Sequence, residues 1–227
     1  MDHIFKTREE AAIAAAQRIG EALLRRLDGQ GAASLVVSGG TSPAGVFAEL
    51  AKTTLNWPGV HVILSDERWV PPEHEDSNEK LVRETLLAGE AQDARLLPVY
   101  RPDVTIEERC SEISEELLQA PFPFACALLG MGEDGHFASL FPDAENLQDG
   151  LDVDSRQLCI PVQTAASPHP RVSLTLSALS RSDEIVLLIF GDAKRDVYEA
   201  ARTSTNGTPV SHLLRQKRAP VHVYWAP

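Results

Sequence analysis

Three glycines, two acids and a histidine crowd the segment GMGEDGH at residues 130–136. His136 follows Asp134 by two positions, and a carboxylate beside an imidazole fixes the tautomer of the ring and raises its basicity. Such a pair suits a general base that works at neutral pH. A lone histidine is more often a packing or surface residue, so two interpretations stand: a catalytic base, or a structural side chain in a glycine-rich loop.

The same glycines formally match the G-x-G-x-x-G pattern of dinucleotide-binding turns. A dinucleotide site should lie at the first strand-to-helix turn of its unit, and an acid should end the next strand to hold a ribose. Here the next strand candidate, QLCIPVQT, ends in Gln and Thr. The pattern therefore does not favour a dinucleotide, and a glycine-rich connection without a ligand is the alternative.

A second glycine turn, SGGTSP, lies where an apolar run gives way to a helical pattern and contains Gly39, Gly40, Thr41 and Ser42. Free backbone N–H groups and the positive end of a helix favour a phosphate at such a turn. The alternative is a tight turn without a ligand, in which Ser42 is the N-cap and Pro43 the first helical residue.

Four charged residues near strand ends or helix starts complete the candidate set. Asp66 and Arg68 end an apolar strand, so they could form a structural ion pair, or Asp66 could orient Arg68 to bind an anion or polarise a carbonyl. Arg171 follows the segment SPHP, and Lys194 lies in the first turn of a helix that Asp192 is expected to cap. A lysine is electrostatically unfavourable there unless an anion compensates it.

Alternating strand and helix patterns supply the elements that position these residues. Spacings of three and four residues predict a helix over 8–27. Further helices are predicted over TSPAGVFAEL, SNEKLVRETLL, a segment with a Thr105–Glu108 capping box, 192–202 and about 209–215. Strands are predicted at ASLVVSGG, VHVILSDE, FACALLG, QLCIPV, RVSLTL, EIVLLIFG and VHVYWA. This alternation predicts an α/β fold with a mainly parallel sheet, in which ligands collect beyond the carboxyl ends of strands.

The bulk composition limits the classes of partner. The chain has 227 residues and a net charge of −12, which argues against nucleic acid, because phosphate backbones require clustered Lys and Arg. No apolar run approaches a membrane span, and no linker divides the chain, so one domain over 1–227 is expected. Cys110, Cys126 and Cys159 form no CxxC pair. Cys110 and Cys126 lie within apolar patterns and are interpreted as buried thiols of a reducing compartment, which predicts a cytoplasmic protein.

Two further enzyme classes are disfavoured by missing patterns. His74, His169, His212 and His222 show no metal-ligand spacing, and no cysteine cluster accompanies them, so no metal is expected. No G-x-S-x-G segment is present, which argues against a serine hydrolase.

Taken together, the segments SGGTSP, SDERWVPPEHEDSN, LLGMGEDGHFASLFP, PRVSLTLSAL, GDAKRDVYEA and PVSHL resemble the 6-phosphogluconolactonase family in order and rough spacing. The resemblance extends from about residue 8 to 225. The sequence is similar also to the wider superfamily that includes glucosamine-6-phosphate deaminase. Arg68 and the segment SLFP favour the lactonase branch of that superfamily. Asp143, where a glycine is expected, and His169, in a usually proline-rich segment, depart from the pattern.

The resemblance implies a Rossmann-like three-layer α/β fold with a mainly parallel sheet flanked by helices. It implies hydrolysis of 6-phospho-D-glucono-1,5-lactone in the pentose phosphate pathway, without cofactor or metal, by a monomer or small homo-oligomer. His136, Asp134, Asp66 and Arg68 would be catalytic, and the phosphate would contact Gly39, Gly40, Thr41, Ser42, Arg171 and Lys194. A glucosamine-6-phosphate deaminase or sugar-phosphate isomerase is the first alternative, and a non-catalytic sugar-phosphate sensor is the second.

Overall fold

A computed structural model describes residues 1–203 and 207–227. The strands are β1 Asp2–Ile4, β2 Ala33–Val37, β3 Val60–Leu64, β4 Asp66–Arg68, β5 Arg95–Leu96, β6 Cys126–Leu129, β7 Cys159–Val162, β8 Arg171–Leu174, β9 Ile185–Phe190 and β10 Val221–Ala226. The helices are α1 Arg8–Gln30, α2 Ala44–Leu50, α3 Asn78–Thr85, α4 Ile106–Gln119, α5 Leu147–Leu151, α6 Leu176–Leu179, α7 Asp192–Thr203 and α8 Pro209–Arg215.

Seven of the strands form one parallel sheet in the order β1-β10-β9-β6-β2-β3-β5. Helices flank it, which confirms the predicted three-layer α/β fold. The chain runs outward from β2 through β3 to β5, and then returns to place β6 and β9 on the other side of β2. This reversal puts the carboxyl ends of β2 and β6 side by side, and a crevice for ligands forms at such a point.

The central strands are apolar along their whole length because helices cover both faces of the sheet. Every residue of β2 and β6 is buried, as are all but the last of β9. The long helix α1 begins where the Thr7 side chain accepts the backbone N–H of Glu10, and it ends at Gly31, which has a φ of 72°. The predicted capping box of Thr105 and Glu108 is confirmed at the start of α4.

A second sheet of three antiparallel strands, β4-β8-β7, was not foreseen in the sequence. The predicted strand VHVILSDE breaks at Ser65: its first part lies in the large sheet and Asp66–Arg68 enters the small one. Ser65 joins the two sheets, since its N–H donates to Val37 and its carbonyl accepts from Leu174. The small sheet therefore extends beyond the carboxyl ends of β2 and β3.

Two other details differ from the sequence prediction. Ser42 is not the N-cap of α2: Pro43 occupies that position, and no side chain caps the helix. Pro43 already has helical dihedral angles, so the turn before α2 includes one residue more than predicted. The Ser42 hydroxyl therefore does not cap the helix. The short strands β1 and β5 were not predicted, since neither has a distinctive apolar pattern.

Among the described residues, no helix combines the length and the apolar character that a bilayer span requires. The three cysteines are buried and unpaired. Burial raises the pKa of the Cys126 and Cys159 thiols, so both are protonated and unreactive at neutral pH.

Candidate active site

One cleft of about 590 Å³ lies at the carboxyl ends of β2 and β6. Every residue that the sequence analysis selected lines it: Gly39, Gly40, Thr41, Ser42, Asp66, Arg68, Asp134, His136, Arg171 and Lys194. The loop after β2 forms one wall and the loop after β6 forms another, while the small sheet closes a third side. Residues that are far apart in the chain therefore share one cavity.

His136 and Asp134 form the pair that their spacing predicts. Nδ1 of His136 lies 2.6 Å from Oδ1 of Asp134, and the same oxygen accepts the backbone N–H of His136 at 3.1 Å. With Nδ1 facing the carboxylate, Nε2 is the ring nitrogen available to the cleft. The His136 side chain is 28% exposed, so solvent and substrate can both reach it.

The glycines of this loop give space to the pair rather than to a dinucleotide. A Cβ on Gly132 would lie 2.3 Å from Nδ1 of His136 and 2.6 Å from Oδ1 of Asp134. Gly135 has a φ of 79°, and a Cβ there would meet Thr208 at 2.4 Å. The N–H of Gly132 bonds to the carbonyl of His136, and that of Gly135 to Gly132. These two N–H groups are therefore engaged within the loop.

Phe141 links the two ends of the cleft. Its ring packs on the His136 imidazole with centroids 4.2 Å apart. The guanidinium carbon of Arg171 lies 5.7 Å from the centroid of the same ring. The distance from the His136 ring to the Arg171 guanidinium therefore cannot exceed the sum of these two distances. That sum is about the length of a phosphorylated hexose.

Asp66 does not orient Arg68, so that part of the sequence interpretation is wrong. Its Oδ2 accepts the Ser139 hydroxyl at 2.6 Å and faces Nη1 of Arg171 at 3.6 Å. Its Oδ1 accepts the Ser65 hydroxyl at 2.8 Å. The register of the small sheet places Ser173 opposite Asp66 and Arg171 diagonally across from it, within reach of a long side chain. Asp66 therefore positions Arg171.

Arg68 and Arg171 lie directly opposite each other on β4 and β8. Like charges at opposed positions destabilise an antiparallel pair. Burial lowers the pKa of Arg171, and the charge of Arg68 adds to that effect, whereas Asp66 opposes it. Arg68 donates through Nη1 to the carbonyl of Asp76 at 2.5 Å, and its buried Nε has no hydrogen-bond partner among the described residues. Two crowded guanidiniums of this kind favour an anion between them.

Two hydroxyls and a lysine add hydrogen-bond donors and positive charge to the cleft. Thr41, Ser42 and Lys194 line the cleft together, and Gly40 has a φ of 85°, which a glycine adopts without strain. Lys194 lies in the first turn of α7, as predicted. Within the described part of the chain, no hydrogen bond or ion pair engages its ammonium group, so the charge that is unfavourable at a helix start stays uncompensated.

The sequence analysis missed two residues at the cleft: Glu67, which is buried behind it, and Asn78, which lines it. Glu67 is 1% exposed and accepts the backbone N–H groups of Arg68, Asn78 and Glu79. Burial raises the pKa of Glu67, and these hydrogen bonds oppose the rise. Asn78 donates to the carbonyl of Asp66 at 2.9 Å, and a Cβ on Gly39 would lie 1.9 Å from its Oδ1. Gly39 thus permits the close packing of its turn against Asn78.

The unexpected Asp143 has a defined structural role beside the cleft. Its carboxylate accepts the Thr164 hydroxyl at 2.6 Å and the N–H of Ala165 at 3.0 Å. These hydrogen bonds lower the pKa of Asp143. The carboxylate therefore anchors the loop that carries Ala166 to the edge of the cleft.

Chemically, the cleft combines a carboxylate-oriented imidazole with three cationic side chains, those of Arg68, Arg171 and Lys194. An imidazole of this kind can take a proton from water and return it to a leaving oxygen. The cations can bind a phosphate and stabilise a developing oxyanion. This arrangement suits hydrolysis of an anionic carbonyl compound.

Comparisons with known proteins agree on one family. A family model described as glucosamine-6-phosphate isomerases/6-phosphogluconolactonase matches residues 6–225. A 6-phosphogluconolactonase of Caulobacter vibrioides is 41% identical over 224 residues, covering 98% of this chain and 95% of the relative. One of Mesorhizobium japonicum is 38% identical over 223 residues, covering 98% and 94%. The crystal structure of a 6-phosphogluconolactonase from Shewanella baltica OS155 matches with a TM-score of 0.95 at 35% identity, covering 100% of this chain and 97% of that one.

Proposed function

The chain belongs to the glucosamine-6-phosphate isomerase/6-phosphogluconolactonase family, and we propose that it hydrolyses 6-phospho-D-glucono-1,5-lactone to 6-phospho-D-gluconate. The observation that carries the proposal is the contact of one ring, Phe141, with both the His136 imidazole and the Arg171 guanidinium. It supports a substrate with a reactive carbonyl at one end and an anion at the other. The names of the relatives supply the identity of that substrate.

In the proposed mechanism, His136 is the general base and then the general acid. Its Nε2 takes a proton from water, which attacks the lactone carbonyl, and the same nitrogen returns the proton to the departing ring oxygen. Asp134 holds Nδ1 protonated and stabilises the imidazolium. The positive charge of Arg68 faces the oxyanion, and one such donor contributes about 3–4 kcal/mol.

The phosphate of the substrate is assigned to the cationic end of the cleft. Arg171 and Lys194 supply charge, while Gly40, Thr41 and Ser42 supply backbone and hydroxyl donors. Asp66 keeps Arg171 in place at 3.6 Å. Binding energy from this remote group positions the lactone carbonyl beside His136, which raises turnover as well as affinity.

The test is lactone hydrolysis by the purified protein, with the uncatalysed reaction subtracted, because this lactone also opens in water. We expect enzymatic turnover of the 6-phosphorylated lactone and a much lower kcat/KM for gluconolactone without the phosphate. Ammonia release or ketose formation from glucosamine 6-phosphate would instead establish the isomerase branch. Binding of both compounds without turnover of either would establish a sensor.

The proposal also covers the cofactor requirement, the compartment, the domain organisation and the oligomeric state. The reaction uses no cofactor and no metal, since the imidazole and the cations account for each step. Buried unpaired cysteines fit the reducing conditions of the cytoplasm. A single domain over 1–227 and a monomer or small homo-oligomer are likewise predictions, and size-exclusion chromatography with light scattering tests the second.

A further inference from the structure

A cluster of two imidazoles and a carboxylate lies outside the lining of the active cleft. It consists of His74, Asp76 and His169, whose candidate ligand atoms all lie within 4.8 Å of one another. Nε2 of His169 is 3.1 Å from Oδ2 of Asp76, and Nδ1 of His74 is 3.8 Å from the same oxygen. The sequence predicts no metal site because no histidine pair has metal-ligand spacing, but the fold brings together residues 93 positions apart.

Two of the three separations between ligand atoms are close to those of a transition-metal site, and the third is within 4.8 Å. Two ligands about 2.0–2.1 Å from a tetrahedral zinc ion lie about 3.3 Å from each other. The observed separations of 3.1 and 3.8 Å are close to that value. Two imidazoles and one carboxylate are also the donor set of many zinc sites that keep one position for water. A cluster of carboxylates alone would favour magnesium or calcium instead.

The exposure and the charge of the cluster favour a cation. Nδ1 of His74 accepts the backbone N–H of Asp76 at 3.1 Å, and a bound metal ion would replace that hydrogen bond. The side chains of His74, Asp76 and His169 are 37%, 49% and 28% exposed. An ion can therefore reach them from solvent. Glu73 and Glu75 flank His74 in the chain and add negative charge.

The cluster joins the two segments that carry the arginines of the cleft. The carbonyl of Asp76 accepts Nη1 of Arg68 at 2.5 Å. His169 precedes the start of β8 by two residues, and the carbonyl of Pro170 accepts the N–H of Trp69 at 2.8 Å. A metal between Asp76 and His169 would hold these segments at a fixed distance.

We propose that His74, Asp76 and His169 bind one Zn²⁺ ion, or a divalent ion of similar ligand preference, which ties the segment 71–77 to the segment 167–170. The ion is structural: it takes no part in the chemistry at His136. This inference does not depend on the proposed lactone hydrolysis, because its test is direct metal binding.

The test is titration of the chelator-treated, desalted protein with Zn²⁺, followed by calorimetry and by competition with a chromophoric chelator. We expect one equivalent bound with a dissociation constant in the micromolar range, and loss of that equivalent in His169→Gln and in Asp76→Asn. His61→Gln is the matched control, since His61 lies on β3 outside the cluster, and it should bind like the wild type. Melting temperatures in chelator confirm that each variant folds.

A second measurement separates this cluster from the catalytic imidazole. His136→Ala should keep the equivalent of Zn²⁺, and hydrogen exchange over 71–77 and 167–170 should slow on Zn²⁺ addition in the wild type but not in His169→Gln. Binding that is lost in His136→Ala and kept in His169→Gln would place the ion in the cleft and overturn the proposal. Stoichiometric binding that survives both cluster variants, or no binding by the wild type, would overturn it as well.

Discussion

Asp134→Asn tests the catalytic pair most directly. The substitution removes the charge that faces Nδ1 of His136 at 2.6 Å while it keeps the size of the side chain. A hydrogen bond to a charged group contributes about 1.5–3 kcal/mol. The Asp134 side chain is 43% exposed, so solvent screening favours the lower value. With about 1.4 kcal/mol per tenfold change in rate, we expect kcat to fall roughly tenfold and KM to change little.

The assay is a coupled oxidation of 6-phosphogluconate with the uncatalysed rate subtracted. His136→Ala should lower kcat by about 10²–10⁴-fold, the range for a general base. Because Asp134 acts through His136, the double variant should be no slower than His136→Ala alone. Glu133→Gln, which removes a neighbouring charge from the same loop, is the control and should stay within twofold to threefold of the wild type, since single surface charges contribute little. Additive losses in the double variant would refute the assignment of Asp134 as the positioning residue.

Three further predictions concern the phosphate end, the loop packing and the buried histidine. Lys194→Met should raise KM for the phosphorylated lactone but leave kcat/KM for gluconolactone unchanged; an equal effect on both would mean that the phosphate binds elsewhere. Gly132→Ala, whose Cβ would lie 2.3 Å from the His136 ring, should lower the free energy of unfolding by about 1–3 kcal/mol and abolish most activity. In Gly130→Ala the added Cβ would have its nearest contact at 4.0 Å, so both stability and activity should be retained. If calorimetry and the assay showed the same losses in the two variants, the steric argument would be contradicted. Burial lowers the pKa of His222 from 6.5 to about 4, so in that window the unfolded chain takes up a proton that the folded chain does not. Stability should therefore fall with pH from 6.5 toward 4. The decrease in stability should be shallower in His222→Gln. If melting temperature plotted against pH had the same slope in the wild type and the variant, proton uptake by His222 on unfolding would be excluded as the cause.

The sequence predicted the parallel sheet and the composition of the cleft because both follow from local patterns. Continuous apolar runs that end in glycine mark strands buried on two faces, and polar residues after such strands must lie at one edge of a parallel sheet. That single rule was enough to bring the 39–42 turn and the 130–136 loop together. The pairing of His136 with Asp134 follows equally from a spacing of two residues in a glycine-rich loop.

Sequence patterns could not predict contacts that depend on the register of the small sheet. The partner of Asp66 is Arg171, not the nearby Arg68, because β8 approaches β4 from more than a hundred positions along the chain. Three-residue strands have too few side chains for a distinctive period. The burial of Glu67 was hidden for the same reason, since three of its partners are backbone N–H groups, of Arg68 and of the start of α3, which no side-chain pattern records.

The paired arginines show why folding and binding make opposite demands on this cleft. The chain has a net charge of −12, yet two guanidiniums lie on facing strand positions. Among the described residues, the one carboxylate that forms an ion pair with either is Asp66, at 3.6 Å from Arg171. Replacing such a pair with neutral side chains would relieve repulsion and desolvation in the free protein. The pair becomes favourable when the substrate brings negative charge to it, with the phosphate at Arg171 and the developing oxyanion at Arg68. The cost is therefore carried by the unliganded state, and its removal on binding adds to the affinity for a phosphate and orients the lactone toward His136.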